Sequence, residues 1–132
     1  MRVSRLHPVR EMEPQELEER TFEFGVAILK LAQRLKPDLP EPVINELVRS
    51  GVGIGAELVE ARHAGSASQV ESYSAGRRAC RQTAYWLRII ATAEESQSES
   101  IAPLLQEIEH LARGLKLLSV RAKQRIEIGK SK

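Results

Sequence analysis

The chain has 132 residues, of which 20 are Lys or Arg and 18 are Asp or Glu, giving a net charge of +2. That length suits one domain, which can bury roughly two-thirds of its unfolded surface without help from metals or disulfides. A single cysteine, Cys80, excludes an internal disulfide and fits a reducing cytoplasm. No Cys/His cluster offers a zinc site, and neither a metal nor a cofactor is expected. No run approaches the ~18 apolar residues of a membrane span. Met1 to Pro8 carries no apolar stretch behind its positive charges, so no secretory signal is read there.

Charge is unevenly spread. Residues 113–132 hold 7 of the 20 basic residues and one acid, Glu127, leaving 13 basic against 17 acidic residues before them. A basic end on a mildly acidic body points to an anionic partner. It equally suits a solvated helix end whose cations complement the helix dipole.

Residues 1–13 lack periodicity and read as a tail. Four helices follow, each with apolar residues at alternating steps of three and four. The first, over 14–36, opens at Pro14, a residue suited to a first turn. Its stripe is Leu17, Thr21, Phe24, Ile28, Leu31 and Leu35, and Pro37 and Pro40 end it. The second, over 42–62, carries Ile44, Leu47, Gly51, Ile54, Leu58 and Ala61. The third, over 68–93, opens on Ser68 and Glu71 in capping-box spacing. Its stripe is Tyr73, Gly76, Cys80, Thr83, Leu87 and Ile90. The polar turn 94–100 leads to the fourth helix, over 100–127, with Ile101, Leu104, Ile108, Leu111, Leu115, Leu118 and Ala122. A basic tail, 128–132, ends the chain.

Such stripes joined by short turns predict an all-α protein, an up-down-up-down antiparallel four-helix bundle of left-handed packing. Val43, Val48, Val52, Val59, Trp86 and Leu117 lie off the stripes, and one core cannot face them all, so a homo-oligomer is expected.

Gly51, Gly53 and Gly55 interrupt the second helix, each costing about 1 kcal/mol relative to alanine. A phosphate loop would need a preceding strand, whereas these flanks are helical. Close packing is the better reading: Gly51 and Gly55 let a neighbouring backbone approach.

Three segments carry a family resemblance: Leu17-Glu18-Glu19-Arg20-Thr21-Phe22-Glu23-Phe24; Leu47-Val48-Arg49-Ser50-Gly51 continuing through Ile54-Gly55-Ala56 to Glu60-Ala61; and Arg81-Gln82-Thr83-Ala84-Tyr85-Trp86-Leu87. In order and spacing the chain resembles the bacterial four-helix bundle proteins, also called 23S rRNA intervening-sequence proteins, over roughly 17–125. The resemblance implies a bundle that assembles into a ring-like homopentamer. It also implies kinship with the accessory proteins of diversity-generating retroelements, which bind a reverse transcriptase and nucleic acid. The family usually has Thr and Ser where this chain has Val52 and Gly53, and Asn-Tyr in place of Glu57-Leu58. It favours Glu where this chain has Ala79, Gln82 and Ala84. With those acids missing, Arg77, Arg78, Arg81 and Arg88 have few local partners.

Arg77, Arg81 and Arg88 fall at i, i+4 and i+11 on one helical face, with Arg78 at its border. With Arg113, Lys116, Arg121, Lys123 and Arg125 on the fourth helix they can form a basic surface for RNA or DNA, because guanidinium groups bind phosphate bidentately. The competing reading pairs these arginines with acids such as Glu23, Glu57 or Glu60 across helices or subunits. Aromatic residues are not read as interleaved with the charges, as they are in single-strand binders. Arg49, Gly51, Gly55, Tyr85 and Trp86 are the expected helix-packing or oligomer-interface residues, with one of Tyr85 and Trp86 inside and the other in a subunit contact.

Glu-x-x-His occurs at Glu60 to His63 and at Glu107 to His110, as in di-metal bundles. The two motifs sit near opposite ends of parallel helices, more than ~15 Å apart along the axis. Glu107 and His110 are read as facing the flank. No Arg lies four to seven residues before either His, as the helical-bundle ribonuclease toxins require. Cys80 on the core stripe reads as a small buried hydrophobe. The functional expectation is a non-enzymatic, cytoplasmic, oligomeric accessory or scaffold protein that contacts nucleic acid, or a reverse-transcriptase-like protein, through its basic surface. The alternative is a module that binds other proteins alone, and a remote alternative is a di-metal carboxylate bundle.

Overall fold

The computed structural model describes residues 13–131. They form four helices, α1 (Pro14–Leu35), α2 (Glu41–Arg62), α3 (Ser66–Ala93) and α4 (Ser98–Ser131), with one 3-10 turn at Glu95–Gln97 and no strand among the described residues. The arrangement fits a four-helix bundle. None of these helices is long and apolar enough to cross a membrane.

Prolines set the first two starts. Pro14 opens α1, and Pro40 precedes α2 with Pro42 in its first turn, where a missing N–H costs nothing. The third start differs from the sequence reading. Gly65, in extended backbone, is the N-cap without a side-chain cap, so the helix begins at Ser66 and Ser68 and Glu71 do not make the expected capping box. Gln69 anchors this corner instead: its backbone N–H reaches Gly65 O at 2.9 Å, and its side-chain amide donates to Ala61 O at 3.0 Å. A carbonyl at the end of α2, which also accepts from the Ala64 N–H, thereby gains a second donor from α3. The fourth helix starts at Ser98, not 100, and runs on through 128–131, which the sequence reading assigned to a tail. No proline follows Pro103 to stop it. The tail expected at the N-terminus lies outside the described residues, apart from Glu13, the N-cap of α1.

The four stripes meet as one core. Ile28, Leu31, Leu47, Ile54, Leu87, Ile101, Leu111 and Leu115 are fully enclosed. Buried Thr21 and Thr83 donate their hydroxyls to Glu18 O (2.9 Å) and Ala79 O (2.7 Å) within their own helices, so burial leaves neither unsatisfied. Contacts between helices run antiparallel. Gly51 faces Ile28 while Gly55 faces Thr21, and Gly76 faces Leu115 while Gln69 reaches Arg125.

Glycines set how closely the helices approach. A Cβ on Gly51 would stand 2.9 Å from Ile28 Cγ1, and one on Gly114 would stand 3.0 Å from both Leu17 methyls. Real Cβ atoms do not tolerate such distances in a close-packed core. By contrast, nothing lies within 4 Å of a Cβ at Gly53.

The first and last helices meet differently. α1 packs more sparsely on α4 than on α2, and where they meet they share a buried ion pair. Arg20 Nε donates to Glu107 Oε2 at 2.9 Å, and Arg20 Nη2 donates to Oε1 at 2.5 Å. Arg20 is 2% exposed and Glu107 8%. The fork-on-fork geometry satisfies both carboxylate oxygens. This corrects the sequence reading of Glu107 as flank-facing: the flank it occupies is the one α1 covers.

Breaking a buried pair strands a desolvated charge, which costs about 3–5 kcal/mol, whereas replacing both partners with apolar groups is often neutral. Chemical denaturation should therefore show Glu107→Ala destabilised by about that amount, with most of it recovered in the Arg20→Met/Glu107→Leu double variant. A double variant as unstable as the single would show that the pair does not act as a unit.

Candidate nucleic-acid interface

The third helix is flanked by α2 and α4, and Gly76, Ala79, Cys80 and Thr83 are buried along it. From Ser72 to Ala93 it contains four arginines and no acid. Arg78, Arg81 and Arg88 are exposed, and Arg77 is half-buried at the edge of the same face. The hydrogen bonds and ion pairs among the described residues do not involve the side chains of these four arginines. Among the described residues no pairing of these arginines with Glu57 or Glu60 across the α2–α3 seam occurs. The acids nearest in sequence, Glu71 and Glu94, lie at the two ends of the helix.

The cations of α4 are more dispersed. Arg113, Lys116, Lys123 and Arg125 are exposed, and Arg121 is half-buried. The contact of Gly76 with Leu115 sets the register, so that Arg77 and Arg78 stand level with Arg113 and Lys116 along the bundle. Arg125 lies toward the far end, where its Nη2 donates to Gln69 Oε1 at 2.9 Å. This expected contact residue is thus partly engaged in tying α4 to the start of α3.

Cys80 lies beneath the arginine face. Burial pushes its thiol up to about 12 from 9.0, while the Arg81 and Arg77 guanidiniums pull the other way. It is an inert part of the core rather than a nucleophile. Tyr73 is likewise raised by burial, with Arg125 opposing.

The expected packing residues divide. Gly51 and Gly55 serve the α1–α2 seam inside the chain, against Ile28 and Thr21. Arg49 is exposed and pairs with Glu46 one turn back at 2.6 Å. Trp86 packs on the core, while Tyr85 is 59% exposed. The two rings meet edge-on, with centroids 5.7 Å apart and planes at 70°. Tyr85 also corrects the reading that no aromatic is interleaved with the charges: it lies one turn after Arg81 and three residues before Arg88, on the same outward face.

Two of the hollows elsewhere on the described residues bear on the helix seams. One, of ≈ 590 Å³ between α1 and α4, is lined by Phe24, Pro103 and Leu104 beside Arg20, Glu107 and His110. His110 Nδ1 is 3.6 Å from Glu107 Oε1, too long for a hydrogen bond. Both carboxylate oxygens already accept from Arg20, so the cluster is arranged to join helices. Among the described residues no group of three or more His, Cys, Asp or Glu comes together as metal ligands would. His63 is the exposed C-cap residue of α2.

The other hollow, of ≈ 310 Å³, runs along the outer seam of α1 and α2. Its walls include Phe22, Val26, Leu29, Val52 and Val59, all substantially exposed, with Phe22 at 71%. Val52 and Val59 are among the off-stripe residues expected at an interface, whereas Phe22, Val26 and Leu29 are not. Their steps of four and three form a second apolar stripe on the first helix, which is the signal that could have found them.

No family model and no curated protein matches the chain. Its fold is similar to that of a solved protein of unknown function from the S23 ribosomal protein family of Bacteroides thetaiotaomicron VPI-5482, with a TM-score of 0.74. The two are 23% identical, and the match covers 85% of this chain and 99% of that one. At that identity the likeness is one of fold.

Proposed function

We propose that this protein is a non-enzymatic, oligomeric helical-bundle accessory protein that binds nucleic acid through α3 and the adjoining cations of α4. The observation that carries the reading is the outer face of α3 from Ser72 to Ala93, which holds no acid and whose four arginine side chains have no ion-pair partner among the described residues. Guanidinium groups left in this state are suited to phosphate, which they grip bidentately. The resemblance to the intervening-sequence proteins and retroelement accessory proteins supports the same reading. It also suggests a reverse-transcriptase-like enzyme as a second partner, held through the nucleic acid or beside it.

Such binding releases counterions, so its affinity falls steeply with salt. Anisotropy titration of labelled RNA and DNA with nuclease-treated protein should show binding that weakens from low to near-physiological salt. The folded Arg77→Ala/Arg81→Ala/Arg88→Ala variant should lose most of it. Absence of binding to every polymer at low salt would overturn the proposal and leave a module that binds proteins alone.

Self-association is the second part of the reading. The row Phe22, Val26, Leu29, Val52 and Val59 offers an apolar face of the kind subunits cover, and the resemblance suggests a ring of five. Light scattering should report an oligomer for the native chain and a folded monomer for Val26→Glu/Leu29→Lys. A native chain that is monomeric at high concentration would remove this part.

A further inference from the structure

Resting on the nucleic-acid reading above, we infer that the outer face of α3 is a site for single-stranded nucleic acid, in which Tyr85 stacks on an unpaired base while Arg78, Arg81 and Arg88 hold the flanking phosphates. The placement of these side chains carries the inference. A helix advances 1.5 Å per residue, so Tyr85 stands roughly 6 Å beyond Arg81 and roughly 4.5 Å before Arg88 along the axis. Around the axis it falls between Arg81 and Arg88 on one side and Arg78 on the other. The ring is thus surrounded by cations on the one helix face that neither α2 nor α4 covers.

Exposure of the ring is the second element. A tyrosine 59% exposed gives up apolar burial that its neighbour Trp86 keeps. Trp86 is wedged into the bundle and meets Tyr85 edge-on at 5.7 Å, which gives the exposed ring a fixed support. A ring with limited freedom loses little entropy when a base lies on it. Aromatic rings alternating with cations along a groove or face are how proteins hold single strands without reading their sequence. A duplex hides its base faces, so this arrangement favours unpaired strands over paired ones. From Ser74 to Thr92 the face presents Ser74, Arg78, Arg81, Tyr85, Arg88 and Thr92 without a carboxylate, and the one acid of α3, Glu71, lies two turns before Arg78 near the start of the helix.

The chain's single tryptophan is a built-in reporter, because a base stacked on Tyr85 lies close to Trp86. The test titrates the protein with oligouridylate, oligothymidylate and a duplex of equal length at low salt, reading Trp86 emission and anisotropy together. Both single strands should bind more tightly than the duplex and quench Trp86, and any difference between them reports the sugar preference. Tyr85→Phe should bind like the native chain. Tyr85→Leu, a change at an exposed position, should stay folded and bind single strands about 5- to 100-fold more weakly, the loss expected for one stacked base. Its duplex affinity should be unchanged. If Tyr85→Leu binds single strands as tightly as the native chain while the triple arginine variant does not, stacking is wrong and the wider nucleic-acid reading stands. If the native chain binds none of the three polymers, both are wrong.

Discussion

The Arg20–Glu107 pair is the only buried charge interaction among the described residues, and it joins the first helix to the last. The other seams are closed in their buried parts by apolar side chains and by glycines that bring backbones together, with polar contacts such as Arg62–Glu18 and Arg125–Gln69 at their exposed edges. At the α1–α4 seam, Leu17 against Gly114 and this one ion pair do most of the closing, and beyond them the helices part around Phe24 and Leu104. The pair also fixes the rotation of α1. With Arg20 turned to α4 and Thr21, Phe24 and Ile28 turned to the core, the row Phe22, Val26 and Leu29 must face outward beside α2. The exposed apolar face therefore follows from where the charge is buried.

A related constraint shapes α3. Wedged between α2 and α4, it turns mostly small or apolar residues inward, with Thr83 and Tyr73 among them, and its charged residues are left toward the outside. On most bundle surfaces acids and bases alternate and neutralise each other. Here the acids are absent from Ser72 to Ala93, so the arginines stand without local compensation. Like charges at such spacing repel weakly and bring no folding advantage. An external polyanion is what their arrangement suits.

The sequence makes the four helices plain because apolar residues recur at 3.6-residue spacing, and the structure encloses the residues of those stripes except Leu104, which lines the hollow between α1 and α4. What it hides is long-range and charged. Arg20 and Glu107 each sit one position from a stripe residue and are 87 residues apart, and charge itself argues for an outward placement. The capping box at Ser68 and Glu71 had the right spacing, but Gly65 takes an extended conformation and starts the helix earlier, leaving Ser68 inside it. The arginine face was legible from spacing alone. The place of Tyr85 within it was equally legible at four and three residues from Arg81 and Arg88, yet exposure, which spacing does not report, is what distinguishes it from Trp86.

The most direct measurement of the account is a map of the contact surface in solution. Arginine side-chain Nε–H resonances and tyrosine ring resonances, followed by NMR as a single-stranded oligonucleotide is added, report the two groups the account relies on. It predicts shifts concentrated at Arg78, Arg81, Arg88 and Tyr85, with Arg20 unmoved in its buried pair. Shifts at Phe22, Val26 and Leu29 instead, or none while the oligonucleotide binds, would contradict it.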